Sequence, residues 1–145
     1  MSNNLDTVAI LTGASRGLGA ALARALLARP GMRLISVARR ADPGLDAQAL
    51  SHGTAVRQIQ ADLSDPASVQ RTADEIFGSL PEGASRYLLI NNAGTLDPVA
   101  RADQLDDGAA IAAAFKLNVA AIAAPSSSWS ARATGSSVPA LLMSK

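Results

Sequence analysis

Between residues 12 and 19 the chain reads TGASRGLG, and no other stretch restricts its fold as much. A short apolar, β-branched run, Thr7–Thr12 (TVAILT), leads into it. An Ala/Leu/Arg segment, Leu18–Arg29, follows, with Leu22, Ala25 and Leu26 at helical spacing. The first run reads as a strand buried on both faces and the second as a helix. Gly13, Gly17 and Gly19 between them permit a tight turn and let the backbone approach a pyrophosphate. The helix N-terminus then offers unpaired N–H groups and a positive dipole end. The plainer reading is a helix start reached through a flexible turn. The strand before and the helix after favour the phosphate site.

The rest of the chain repeats this alternation. Arg33–Ala38 (RLISVA) is a second strand, and Pro30-Gly31 ends the helix before it. Asp42–Ser51 reads as a short helix or a loop. Ala55–Gln60 is a third strand, with Val56 and Ile59 as inward candidates. Ser64-Asp65-Pro66 is a helix start, an N-cap side chain followed by proline, for a helix running to about Ser79. After the turn Pro81-Glu82-Gly83, Tyr87–Asn91 (YLLIN) is a fourth buried strand. This order predicts an α/β fold with a parallel sheet and right-handed crossovers. Asp106–Ala124 reads as an alanine-rich helix. From Pro125 the periodicity is lost. Val138–Met143 has strand character, which Pro139 weakens. Residues 1–124 are therefore expected to form one nucleotide-binding unit, and 125–145 an irregular tail.

Composition narrows the function. The chain has 145 residues, the size of one domain, and 48% of them are hydrophobic, enough for a core. A net charge of +1, with acids and bases interleaved, argues against nucleic-acid or membrane-surface partners. No cysteine is present, which excludes a disulfide framework, a thiolate zinc site and a cysteine nucleophile. His52 stands alone, so no metal site is expected. Met1–Thr7 lacks the basic-then-apolar plan of a signal peptide, and no apolar run is long enough to span a membrane. A cytoplasmic, soluble protein is the expectation.

The strand ends carry the remaining signals. An acid at the end of the second strand of a dinucleotide fold binds the ribose 2′-hydroxyl. Here that end reads Val37-Ala38-Arg39-Arg40, with no acid until Asp42. A guanidinium there favours a 2′-phosphate, hence NADP over NAD, and Arg16 offers a second cation. The alternative is a solvated strand end. Asp62-Leu63 follows the third strand, near a ligand crevice or as a local turn cap. Asn91-Asn92-Ala93-Gly94 ends the fourth strand, where two amides and a glycine can hold the strand end open and bond backbone or ligand; alone, it is an ordinary turn sequence.

Together, TGASRGLG, Asp62-Leu63, NNAG and Lys116-Leu117-Asn118-Val119, in this order and spacing, resemble the short-chain dehydrogenase/reductase family. The match covers about Thr7 to Ala124. The segment NNAGTLDPV also looks like the benzil reductase and sepiapterin reductase-like branch, which reduces carbonyls with NADPH. The resemblance implies a Rossmann-type doubly wound sheet, strand order 3-2-1-4 with a fifth strand as a candidate. It implies NADP-dependent reduction of a small carbonyl compound. Gly13, Ser15, Arg16, Gly17, Leu18 and Gly19 would cradle phosphates and ribose. Arg39 would face the 2′-phosphate, and Asp62 and Leu63 would flank the adenine. Asn91, Ala93 and Gly94 would stabilise the fourth strand beneath the cofactor. Asn118 matches the asparagine of the family's catalytic tetrad, where it holds a water in the proton relay.

The family's chemistry also needs a serine and a Tyr-x-x-x-Lys pair, whose tyrosine protonates the carbonyl as hydride arrives. The one tyrosine here is Tyr87, in the fourth strand, with Asn91 four residues later. Ser137 or Ser144 matches the family serine by position, without a tyrosine partner downstream. The expectation is a C-terminally truncated or frame-shifted reductase, its sheet incomplete and its chain inactive alone. The family's usual interface helix falls in the missing part, so homo-oligomerisation is left open. A non-catalytic NADP-binding module and a non-functional fragment are the alternatives.

Overall fold

The computed structural model describes residues 7–81, 83–94, 109, 112 and, as backbone, 140–144. Strands β1 (Thr7–Thr12), β2 (Met32–Ala38), β3 (Ala55–Gln60), β4 (Arg86–Asn91) and β5 (Ala140–Ser144) form one sheet in the order β3-β2-β1-β4-β5. All four pairings are parallel. Helices α1 (Gly17–Leu27), α2 (Pro43–His52) and α3 (Pro66–Ser79) connect the first four strands. The expected doubly wound α/β sheet is present, and the candidate fifth strand extends it beyond β4.

β5 lies inside the segment read as an irregular tail. It runs from Ala140 to Ser144, where strand character was expected over Val138–Met143. Its register on β4 runs from Tyr87 opposite Ala140 to Asn91 opposite Ser144. Of the expected alanine-rich helix, only Ala109 and Ala112 are among the described residues, and both are helical and exposed. The rest of Asp106–Ala124, with Asn118, lies outside them.

Strand alternation sorts the apolar side chains into two cores. Val8, Ile10, Ile35, Val37 and Leu89 face α3, together with Val69 and Ile76 of that helix. Ala9, Leu11, Leu34 and Met32 face α1 and α2, against Ala23, Leu27 and Leu45. Burial on both faces explains why these strands read as continuous apolar runs rather than alternating ones. Val56 and Ile59 both point inward, but to opposite sides: Ile59 joins the α3 core and Val56 packs on the other.

Helix limits follow local chemistry. The first helix was expected to reach Arg29 and ends at Leu27. Pro30 pushes Arg29 out of helical geometry, so the last turn closes early. The segment left between helix and loop is helical: the Asp42 side chain accepts from the Gly44 N–H at 2.9 Å, and Pro43 occupies the first turn. Only Leu45 and Ala49 of α2 are buried, which is why its apolar pattern was faint. In α3 the cap is Asp65, which accepts from Ala67 and Ser68.

Candidate functional site

The carboxyl ends of β1, β2, β3 and β4 lie along one edge of the sheet. Thr12 pairs with both Val37 and Asn91, and Ala38 pairs with Gln60. The segments that leave these ends are therefore neighbours. The chain order reverses direction across β1, between β2 on one side and β4 on the other. In open α/β sheets, ligands bind at such a switch point.

The glycine turn is built into this point. Gly13 has φ +73° and donates its N–H to the Val37 carbonyl at 2.8 Å, tying the turn to β2. A β-carbon on Gly13 would sit 2.8 Å from the Ala93 Cα. Gly19 is buried, and a β-carbon there would run into the Gly13 carbonyl. Gly17 differs: its φ is +55°, it is exposed, and among the described residues nothing lies within 4 Å of where its β-carbon would be. Two glycines are thus needed for packing within the protein, and the third leaves space in front of the turn.

That space faces the start of α1. Arg16, at the N-cap, is extended, with φ −156° and ψ 168°, and no side chain caps the helix among the described residues. The first turn also carries no acid. Its N–H groups and the positive end of the helix dipole are therefore available to an anion. Ser15 and Arg16 are exposed beside it, as is Leu18 at 53%.

Arg39 and Asp62 follow the neighbouring strand ends of β2 and β3. Arg39 is exposed immediately after β2, and Asp62 is exposed just after β3. The Ser64 hydroxyl donates to Asp62 Oδ1 at 2.6 Å and the Ser64 N–H at 2.9 Å. These two hydrogen bonds, with the Arg39 guanidinium adding to them, hold the Asp62 carboxyl below the usual carboxylate range. Asp62 thus caps its own turn, and it does so at the carboxyl end of β3. Leu63 turns its side chain into the α3 core.

At the end of β4, Asn91 is buried to 1% exposure, Ala93 is half-buried and Gly94 is exposed. The residue that ties this segment to the glycine turn is Asn92. Its Nδ2 donates to the Gly13 carbonyl at 3.1 Å. The Thr12 hydroxyl accepts from the Asn92 and Ala93 N–H groups, each at 3.0 Å. Sequence reasoning expected amides to bond backbone here but named Asn91, Ala93 and Gly94 as the site residues, and it missed the Thr12 hydroxyl. The signal was the second amide of the pair: strand alternation points Asn91 inward, and Asn92 is the first residue past the ladder. Tyr87 donates its hydroxyl to the Pro81 carbonyl, which is a structural use of the phenol.

Among the described residues no group of three or more His, Asp or Glu could hold a metal ion. Nor is any described helix long and apolar enough to cross a membrane.

The family model for short chain dehydrogenase matches residues 7–132. Sepiapterin reductase of Meriones unguiculatus is 42% identical over 103 residues, covering 65% of this chain and 38% of its own length. A short-chain dehydrogenase/reductase from Burkholderia vietnamiensis superposes with a TM-score of 0.83 at 34% identity, over 97% of this chain and 63% of that one. A short-chain dehydrogenase from Sphingobium yanoikuyae in complex with NADPH superposes with a TM-score of 0.74 at 29% identity, over 95% and 52%. The chain thus spans well under half the length of the curated reductase it matches. The glycine turn at the switch point, the NNAG segment that braces it and the family match over residues 7–132 agree: this chain belongs to the short-chain dehydrogenase family.

Proposed function

We propose that this chain is the cofactor-binding part of an NADP-dependent reductase of small carbonyl compounds. One observation carries the reading: the start of α1, with no side-chain cap among the described residues, follows the open Gly17 at the same sheet edge where Arg39 and Asp62 leave β2 and β3. The residues present fit such a cofactor. The first-turn N–H groups of α1 would hold the pyrophosphate, with Ser15, Arg16 and Leu18 beside it. Arg39 would take the 2′-phosphate, and Asp62 with the backbone of Leu63 the adenine, since the Leu63 side chain lies in the α3 core. Asn91, Ala93 and Gly94 would support the nicotinamide end, and Asn118 would serve the proton relay by family resemblance. When bound, the cofactor supplies a hydride to the carbonyl carbon. Similarity to sepiapterin reductase and to an NADPH-bound relative supports both the substrate class and NADP.

The 145-residue chain by itself is proposed to bind without turnover. The sequence contains no Tyr-x-x-x-Lys, and the phenol of Tyr87 is already engaged by Pro81. The test is thermal melting of the chain with NADPH and with NADH, beside a carbonyl-reduction assay. A ligand that binds only the folded state adds about 2.7 kcal/mol at a hundredfold excess over its Kd. A larger rise in Tm with NADPH than with NADH, and no consumption of NADPH, is the expected result. Equal shifts would remove the NADP assignment, and turnover by this chain would remove the inactivity.

A further inference from the structure

The segment between β2 and α2 is held at both ends by β3 and the residue that follows it. At one end the Ala61 N–H donates to the Ala38 carbonyl at 3.0 Å. At the other, the side chain of Gln58 takes both backbone groups of Asp42. Gln58 Oε1 accepts from the Asp42 N–H at 2.8 Å, and Nε2 donates to the Asp42 carbonyl at 2.8 Å. Only Arg39, Arg40 and Ala41 lie between these anchors, and all three are exposed.

The amide of Gln58 is itself oriented. Its Nε2 also donates to Asp46 Oδ2 in α2 at 2.7 Å. The Asp42 carboxylate is occupied too: Oδ1 accepts from the Gly44 N–H at 2.9 Å and Oδ2 from Arg24 at 3.1 Å. Asp42 is the first acid after β2, yet its oxygens serve α1 and α2.

We propose that Gln58 is a positioning residue for nucleotide choice. By clamping the Asp42 backbone it fixes the short arch that presents Arg39 and Arg40 to a 2′-phosphate. It also keeps the Asp42 carboxylate on Arg24 and Gly44, where it does not accept from a ribose hydroxyl. The inference rests on the NADP reading above. The physical basis is preorganisation: an arch pinned at both ends loses less freedom when its arginines engage an anion. Gln58 itself touches no part of the cofactor in this account.

The experiment is titration of the full chain with NADPH and with NADH, for the wild type, Gln58→Leu, Arg39→Ala and the double variant. Gln58→Leu should weaken NADPH about tenfold and NADH by less than about twofold. A merely structural role would weaken both nucleotides alike. In the Arg39→Ala background, Gln58→Leu should change the NADPH/NADH ratio by less than it does in the wild type, because part of its effect runs through Arg39. If Gln58→Leu does not melt cooperatively, Gln58→Asn is read instead. It keeps the amide without adding charge but is one methylene short of the Asp42 backbone, so a fall in the same ratio, no larger than that of Gln58→Leu, is expected. An unchanged ratio, or equal weakening of both nucleotides, overturns the role of Gln58. A wild type that binds both nucleotides equally overturns the NADP reading itself, and that result is visible before any variant is made.

Discussion

Gly19 packs directly against the carbonyl of Gly13, so closely that a β-carbon on Gly19 would collide with that oxygen and lie 2.6 Å from Asn92 Nδ2. The two residues are six apart in sequence and close the turn from β1 into α1. The glycines of this turn should therefore respond differently to alanine. Gly19→Ala forces backbone apart and should cost about 3 kcal/mol, the upper part of the overpacking range. Gly17→Ala meets open space and pays only for its left-handed φ, about 1–2 kcal/mol. Urea midpoints at unchanged slope would check the order.

Thr12 is the second support of the turn. Its hydroxyl accepts from two N–H groups at the end of β4. Thr12→Val keeps the shape and removes the acceptor, leaving both donors without it. We expect a loss of about 1–2 kcal/mol, since a donor left unsatisfied in the interior costs about 1–3 kcal/mol and these two are only half-buried. Thr12→Ser keeps the hydroxyl and should recover most of the loss. Equal stability of the valine and serine variants would contradict the bonding at this strand end.

Arg39 should set nucleotide preference through charge. Arg39→Ala is expected to raise the Kd for NADPH about tenfold and to leave that for NADH within about twofold. The site is exposed, so the wild-type preference should shrink as ionic strength rises. Titrations at low and high salt would measure both effects.

Asp62 gives a pH dependence with a defined sign. Hydrogen bonds from Ser64, and then the charge of Arg39, lower its pKa in the folded chain. A group depressed on folding stabilises the fold above its ordinary pKa of about 3.9, and the gain is lost as pH falls through the folded value. Ser64→Ala should raise the Asp62 pKa towards the ordinary range and flatten the dependence of stability on pH below about pH 4. A side-chain carboxyl titration by NMR would report the first change and acid unfolding the second. The exposure of Asp62 keeps the stability term small.

The alternation of strands and helices and the glycine turn were legible from the chain because they depend on local chemistry, whereas the strand order came from the family resemblance. Continuous apolar runs such as TVAILT can be buried on both faces of a parallel sheet, and TGASRGLG between strand and helix makes a turn that few other functions need. The limits of α1 and the helical state of α2 were less legible. Pro30 acts backward on Arg29, and α2 buries too few side chains to leave a period.

Sequence by itself determined the α/β order, the glycine turn and the cation after β2, since each is written in adjacent residues. Tertiary structure decided the rest. Only the parallel register brings Asn92 to Gly13, sets the Thr12 hydroxyl under two N–H groups and lays Gln58 across the backbone of Asp42. These partners are distant in sequence, and a hydrogen bond has no sequence period. It exists only where two strands have already placed a donor and an acceptor about 3 Å apart.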